Sequence, residues 1–136
     1  MGEDFEFNCR LFVHSKKDIQ QLRESIVGIS SGIIIGSSIE TDYMHIKLSK
    51  WNGFDPDRIN EHRGFLHYKY SAEIDSISDF YENKGPVNPE VFCEQLCNII
   101  KELREQGDLV VASSDYEDVV VEKTGWNWSE STPVHP

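Results

Sequence analysis

The chain has 136 residues, of which 38% are hydrophobic and 11% aromatic, and its 24 acidic and 13 basic side chains give a formal net charge of −11. This composition favours one globular domain with a substantial core and argues against a disordered chain. The negative charge disfavours nucleic-acid and anionic-membrane partners and attracts basic ones. The excess is uneven, because residues 1–75 carry a net charge of −3 and residues 76–136 a net charge of −8.

The N-terminal sequence and the cysteines bear on the cellular compartment. The opening residues, MGEDFEFNCR, are acidic and lack the apolar segment of a secretion signal. Apolar runs such as Ile33–Ile35 are too short for a membrane span. An odd set of cysteines (Cys9, Cys93 and Cys97) without a signal is typical of reduced thiols. We therefore expect a cytoplasmic protein.

The first part of the chain predicts a strand followed by a helix. Residues 5–13 alternate between apolar and polar side chains, apart from Phe12, which predicts a half-buried strand. Ser15 is placed to cap the helix and Gly28 to end it. The apolar stripe between them has helical spacing and consists of Ile19, Leu22 and Ile26.

Three further strands are predicted in the middle of the chain. Residues 32–38 indicate a short buried strand, and the alternation from Met44 onward indicates another that ends near Trp51. The polar residues 54–63 favour a loop. Residues 64–75 alternate throughout, which predicts a long central strand. Its apolar face consists of Leu66, Tyr68, Tyr70, Ala72 and Ile74.

The last third predicts a helix, a strand and a loop-like tail. Asn88 and Pro89 favour the start of the helix, and Gly107 favours its end. The buried stripe of this helix consists of Phe92, Leu96, Ile99 and Leu103. Residues 109–112 indicate a final strand. An acidic turn at 113–118, a short apolar piece at 119–121 and a tail from 123 to 136 follow.

These elements define an α+β fold. The predicted order is β-α-β-β-β-α-β, with an antiparallel sheet of about five strands and two helices packed on one face. The whole chain, residues 1–136, is interpreted as one domain with a loop-like tail at 123–136.

No catalytic motif is found, so we expect neither an active site nor a cofactor. One alternative is a small metal-dependent enzyme or metal-binding protein, in which His45 and His67 combine with Glu73. Cys93 and Cys97 share a helix face and could also ligate zinc, although small buried cysteines more often fill a core. Another alternative, from fold analogy alone, is a regulatory ligand-binding domain.

One acidic and aromatic segment is the strongest candidate for a partner-binding site. Carboxylates steer basic partners and pair with arginine, and aromatic rings supply contact area. The alternative is a solvated loop whose tryptophans fold back over the core. The candidate residues are Asp115, Tyr116, Glu117, Asp118, Trp126 and Trp128.

Several stretches together carry a family resemblance. They are FEFNCRLFVHS, GFLHYKYSAEID, PEVFCEQLCNIIKELREQGDLVVASSDYED and GWNWS. With these, the chain resembles the bacterial immunity proteins encoded beside polymorphic or contact-dependent growth-inhibition toxins. The resemblance implies a protein that neutralises a cognate, basic toxin domain, such as a nuclease, by stoichiometric binding. It leaves the identity of the toxin and self-association open.

Overall fold

Six strands form one antiparallel sheet in the computed structural model, which describes residues 8–76, 89–114 and 117–129. The strands are β1 (Asn8–His14), β2 (Ile33–Ile35), β3 (Ser38–Glu40), β4 (Met44–Lys50), β5 (Tyr70–Ser76) and β6 (Leu109–Ser113). The helices are α1 (Ile19–Ser30), α2 (Pro89–Glu105) and α3 (Glu117–Thr124), with a 3-10 turn at Gly64–His67. The strand order is β2-β3-β4-β5-β1-β6. The α+β class with an antiparallel sheet is confirmed, with six strands and three helices rather than five and two.

The main core lies between one face of the sheet and the helices. Alternation along each strand sends every second side chain to this face. In β1 these are Cys9, Leu11 and Val13, and register places Leu11 opposite Ala72 of β5 and Ala112 of β6. The apolar stripe predicted for α2 is entirely buried against the sheet. The predicted helix-on-sheet packing is therefore present.

A second, smaller core covers part of the opposite face. Phe12, which broke the alternation of its strand, is buried there with Tyr68 and Val111. The Phe12 ring makes edge contacts with Trp51 and Phe65, each with ring centroids 5.3 Å apart. The 51–67 segment and residues 126–128 thus form a lid of aromatic side chains over one end of the sheet.

The ends of α1 differ from those predicted. Asp18, not Ser15, caps the helix: its carboxylate accepts from the Gln21 backbone N–H, and the Gln21 side chain accepts from the Asp18 N–H. Ser15 is instead buried and donates to Asp108. The helix continues through Gly28 and ends where Ser31 adopts a left-handed φ of 58°. The capping box outcompetes the earlier serine because it satisfies two helix-end groups at once.

A hairpin of β2 and β3 stands where one buried strand was predicted at 32–38, and its outer strand is exposed. β2 and β3 pair across a turn at Gly36, whose φ is +62°. Ile33, Ile34 and Ile35 are 61%, 43% and 49% exposed. The three-residue apolar run therefore forms an outer strand.

Only the second half of the strand predicted at 64–75 is a strand. Residues 64–67 form the 3-10 turn, and a Cβ on Gly64 would lie 1.9 Å from the Ile59 carbonyl oxygen. The Trp51 indole N–H donates to the Leu66 carbonyl oxygen and holds this turn against the sheet. The prediction that Leu66 shares the buried face of Tyr70 is wrong, because Leu66 is exposed.

The segment after β6 is helical where a turn and a short apolar piece were predicted. α3 packs on α2 and buries Val120. Residues 125–129 then continue without helix or strand.

Candidate partner-binding surface

α2 and α3 expose carboxylates because their buried faces are fixed by the core. The apolar stripe of α2 leaves Glu94 on the solvent side, and Val120 of α3 leaves Asp118 and Glu122 exposed. Asp118 and Glu122 lie one helical turn apart, so they project from the same side of α3. Two helices thus present acidic side chains next to one another.

A groove of about 610 Å³ runs between these helices. We call it the acidic groove, and it is lined by Pro89, Glu90, Cys93, Glu94, Val119, Glu122 and Lys123. Cys93 and Val119 supply apolar surface, and three carboxylates stand among the lining side chains. Such a mixture suits a basic side chain with an apolar stem.

More than half of the chain's net charge of −11 lies in residues 89–129. Residues 8–76, from β1 to β5, carry nine acidic and nine basic side chains and are neutral. Residues 89–129, from α2 to the tail, carry nine acidic and three basic side chains. The electrostatic asymmetry of the sequence therefore becomes an asymmetry between two parts of the fold.

Among the side chains that line the acidic groove, Lys123 is the one cation against three carboxylates. Within residues 8–76, 89–114 and 117–129, no ion pair involves Glu94, Asp118 or Glu122. Arg104 of α2 donates instead to the Val110 carbonyl oxygen at 2.8 Å and the Trp126 carbonyl oxygen at 2.9 Å. These carboxylates thus remain available to a partner's cations.

The predicted site residues separate into two groups. Glu117 and Asp118 are exposed in the first turn of α3. Asp115 and Tyr116 lie outside the described residues. The acidic part of the predicted segment is therefore adjacent to Glu122 and the groove, and its role in binding stays a prediction.

The two tryptophans lie on the other side of the sheet, in the second core. Trp128 packs against Phe65 with ring centroids 4.8 Å apart and donates its indole N–H to the His62 carbonyl oxygen at 2.9 Å. Trp126 stacks under the Arg104 guanidinium at 5.3 Å. Both rings fold back over the core, and the structure does not bring them together with Asp118.

Two groove residues, Glu94 and Glu122, were not among the predicted site residues. Glu122 lies four residues after Asp118, which is the spacing of one helix face. That signal was hidden because residues 119–121 were interpreted as an apolar piece outside any helix. Glu94 could be placed beside them only by the packing of α3 on α2.

The histidines of the metal-site alternative lie in different settings. His67 belongs to the 3-10 turn, with Nδ1 3.1 Å from the Gly53 carbonyl oxygen. His45 Nδ1 lies 3.5 Å from Glu40, and Glu73 pairs with Arg10. Among the described side chains, no group of three His, Cys, Asp or Glu could hold a metal ion.

All three cysteines are free and buried. Burial raises the pKa of Cys9 to about 12 and that of Cys97 to about 11, and it also raises the pKa of Cys93. The thiolate is the nucleophilic form, so at neutral pH these groups are inert core side chains. Cys93, at the acidic groove, is therefore a packing side chain.

Comparison with protein-family models, curated proteins and solved structures finds no match to this chain.

In the part of the chain that the structure describes, none of the helices has the length and apolar character needed to cross a membrane.

Proposed function

We propose that this protein is an immunity protein, which binds a cognate basic toxin domain in a one-to-one complex and blocks it. The observation that carries the proposal is the concentration of exposed carboxylates around the acidic groove. The resemblance of the sequence to bacterial immunity proteins also supports the proposal. The contact residues we propose are Glu94, Asp118 and Glu122, together with Glu117 and the neighbouring Asp115 and Tyr116.

The proposed recognition is electrostatic at a distance and hydrogen-bonded at contact. A negative face raises the association rate of a basic partner, to about 10⁸–10⁹ M⁻¹s⁻¹ at low salt for strongly complementary pairs. At contact, a carboxylate accepts charge-assisted hydrogen bonds from arginine or lysine. Glu94 and Glu122 line the same groove from two helices, so a single cationic side chain entering it would meet both.

The toxin would be inhibited because the immunity protein occupies its substrate-binding surface. A toxin that acts on nucleic acid needs a cationic surface to hold phosphates. Carboxylates seated on that surface would compete with the substrate directly, and no chemistry by the immunity protein is required.

The test is a binding assay with a defined partner: the C-terminal domain of the large protein encoded immediately upstream. We expect a one-to-one complex on size exclusion, weakened by raising the salt concentration because exposed charges are screened. A triple variant, Glu94→Lys/Asp118→Lys/Glu122→Lys, should lose at least about 30-fold in affinity.

A matched control separates the groove from net charge. The variant Glu24→Lys/Asp42→Lys/Asp57→Lys changes three exposed carboxylates of the neutral part by the same total charge. It should retain most of the affinity. If both triple variants bind equally well, the acidic groove is not the interface; if the unmodified chain forms no complex, this partner and the proposed function are both wrong.

A further inference from the structure

The two outer edges of the sheet differ in how their outward backbone groups are hydrogen-bonded. At β6, the Asn127 side chain acts as a substitute strand: its amide N–H donates to the Ala112 carbonyl oxygen, and its oxygen accepts from the Ala112 N–H. Arg104 donates to the Val110 carbonyl oxygen on the same edge. At β2, no strand or side chain among the described residues takes this role. An open edge is a template for another strand.

The hydrogen-bond pattern shows which residue offers its backbone at the open edge. Thr41 N–H donates to the Met44 carbonyl oxygen at 2.9 Å, which makes that pair hydrogen-bonded across β3 and β4. Hydrogen bonding alternates along antiparallel strands, so Ser38 and Glu40 direct their backbone groups towards β2. Ile34, opposite Ile39, therefore points its N–H and C=O outward.

The side chains of β2 are suited to an apolar, uncharged partner strand. All three isoleucines are exposed on the outer strand. Residues 25–39 contain no charged side chain in a chain whose net charge is −11. Neither lysine nor proline, the residues that usually protect a bare edge, occurs in this stretch.

We propose that the β2 edge pairs with the β2 edge of a second copy of this chain. A two-fold axis through Ile34 sets Ile34 opposite its own copy and Ile33 opposite Ile35, so every apolar side chain meets an apolar one. The two sheets become one antiparallel sheet. This interface is independent of the acidic groove and of the proposed function.

Charge distribution favours self-association at this edge over self-association through the acidic α2–α3 face. The strands from β1 to β5 belong to the neutral part of the chain, so pairing at β2 holds the two acidic α2–α3 faces on the outer ends of the dimer. Like-charge repulsion, which opposes self-association of an acidic protein, is thereby kept small.

The proposed assembly is closed and reversible. Among the described residues each copy leaves one edge open, at β2, because Asn127 and Arg104 bond to the β6 edge. Pairing therefore stops at two copies instead of producing a fibre. A three-residue strand buries less area than a standard interface, which places the dimer in the weak, transient class.

Sedimentation equilibrium of the full chain, from about 1 µM to about 1 mM, tests self-association. The mean mass should rise towards twice the monomer mass. Ile34→Pro removes the outward N–H but no hydrogen bond to β3, and it should hold the mass at the monomer value over the same range. Far-UV circular dichroism verifies that this variant is folded.

A cross-linking experiment tests the two-fold axis separately. In the proposed register the two Ile34 Cα atoms lie about 5.5 Å apart, within reach of a disulfide. The two Ile33 Cα atoms lie diagonally across the pair, at about 7–8 Å, which is too far for a disulfide. Ile34→Cys should therefore form a covalent dimer under mild oxidation at least tenfold faster than Ile33→Cys.

Two results would overturn the proposal. One is a wild-type chain that stays monomeric over the whole concentration range. This result would overturn the proposal even if β2 pairs with a strand of another protein. The other is an equal cross-linking rate for Ile34→Cys and Ile33→Cys.

Discussion

Asn127 is a single buried amide that completes the hydrogen bonding of an outer strand. Its side chain is 1% exposed and satisfies both the N–H and the C=O of Ala112. Removing it leaves two buried backbone groups without a partner, at about 1–3 kcal/mol for each.

Asn127→Ala should therefore lower the free energy of unfolding by about 2–4 kcal/mol. Urea denaturation followed by circular dichroism measures this change. Asn98→Ala, an exposed asparagine on α2, is the control and should change stability by less than about 0.5 kcal/mol. A loss for Asn127→Ala no larger than that of the control would show that the amide is not required at the edge.

The buried thiols should make the fold sensitive to alkaline pH. Burial raises the folded-state pKa of Cys9 to about 12 from 9.0, so the folded state keeps a proton that the unfolded state releases. The free energy of unfolding is then unaffected below about pH 8 and falls above pH 9, by about 1.4 kcal/mol per pH unit for a fully buried thiol.

Urea denaturation between pH 8 and pH 10.5 tests this sign. Tyrosines and lysines also titrate in that range, so the informative comparison is with Cys9→Ala, whose stability should decline less steeply with pH. Parallel declines for the two proteins would contradict the assignment to the Cys9 thiol.

At the scale of elements, two glycines should respond in opposite ways to the same substitution. A Cβ at Gly64 would collide with the Ile59 carbonyl oxygen, whereas a Cβ at Gly28, inside α1, has no neighbour within 4 Å. Glycine in a helix interior costs about 0.5–1 kcal/mol relative to alanine.

Gly28→Ala should therefore raise the melting temperature, and Gly64→Ala should lower it by the equivalent of at least about 2 kcal/mol. Calorimetry of the two variants measures both effects. A neutral Gly64→Ala would mean that the 3-10 turn can move away from the 51–63 loop without loss.

Most elements could be predicted from the sequence because their periodicity coincides with burial on one face. The elements of this kind are β1, β4, β5, α2 and β6. The failures have local causes. Residues 64–67 alternate like a strand, but contacts with Trp51 and Ile59 of the preceding loop fix them in a 3-10 turn. α3 has only one fully buried residue, Val120, so its periodicity was too weak to find.

For the molecule as a whole, the sequence predicted that the second half of the chain is acidic. It did not predict where in the fold the acidic groove lies. The sequence contained the asymmetry between residues 1–75 and 76–136, and it marked Glu117 and Asp118. It could not place Glu94 and Glu122 in one groove, since that arrangement depends on the packing of α3 on α2. Nor could it show that Trp126 and Trp128 belong to the second core.

Growth of cells that express the upstream-encoded toxin domain is the most direct test of neutralisation through the acidic groove. Co-expression of this protein should restore growth. The Glu94→Lys/Asp118→Lys/Glu122→Lys variant should fail to restore it at an equal folded level, and the Glu24→Lys/Asp42→Lys/Asp57→Lys variant should succeed. No protection by the unmodified chain, or full protection by the groove variant, would contradict neutralisation through the acidic groove.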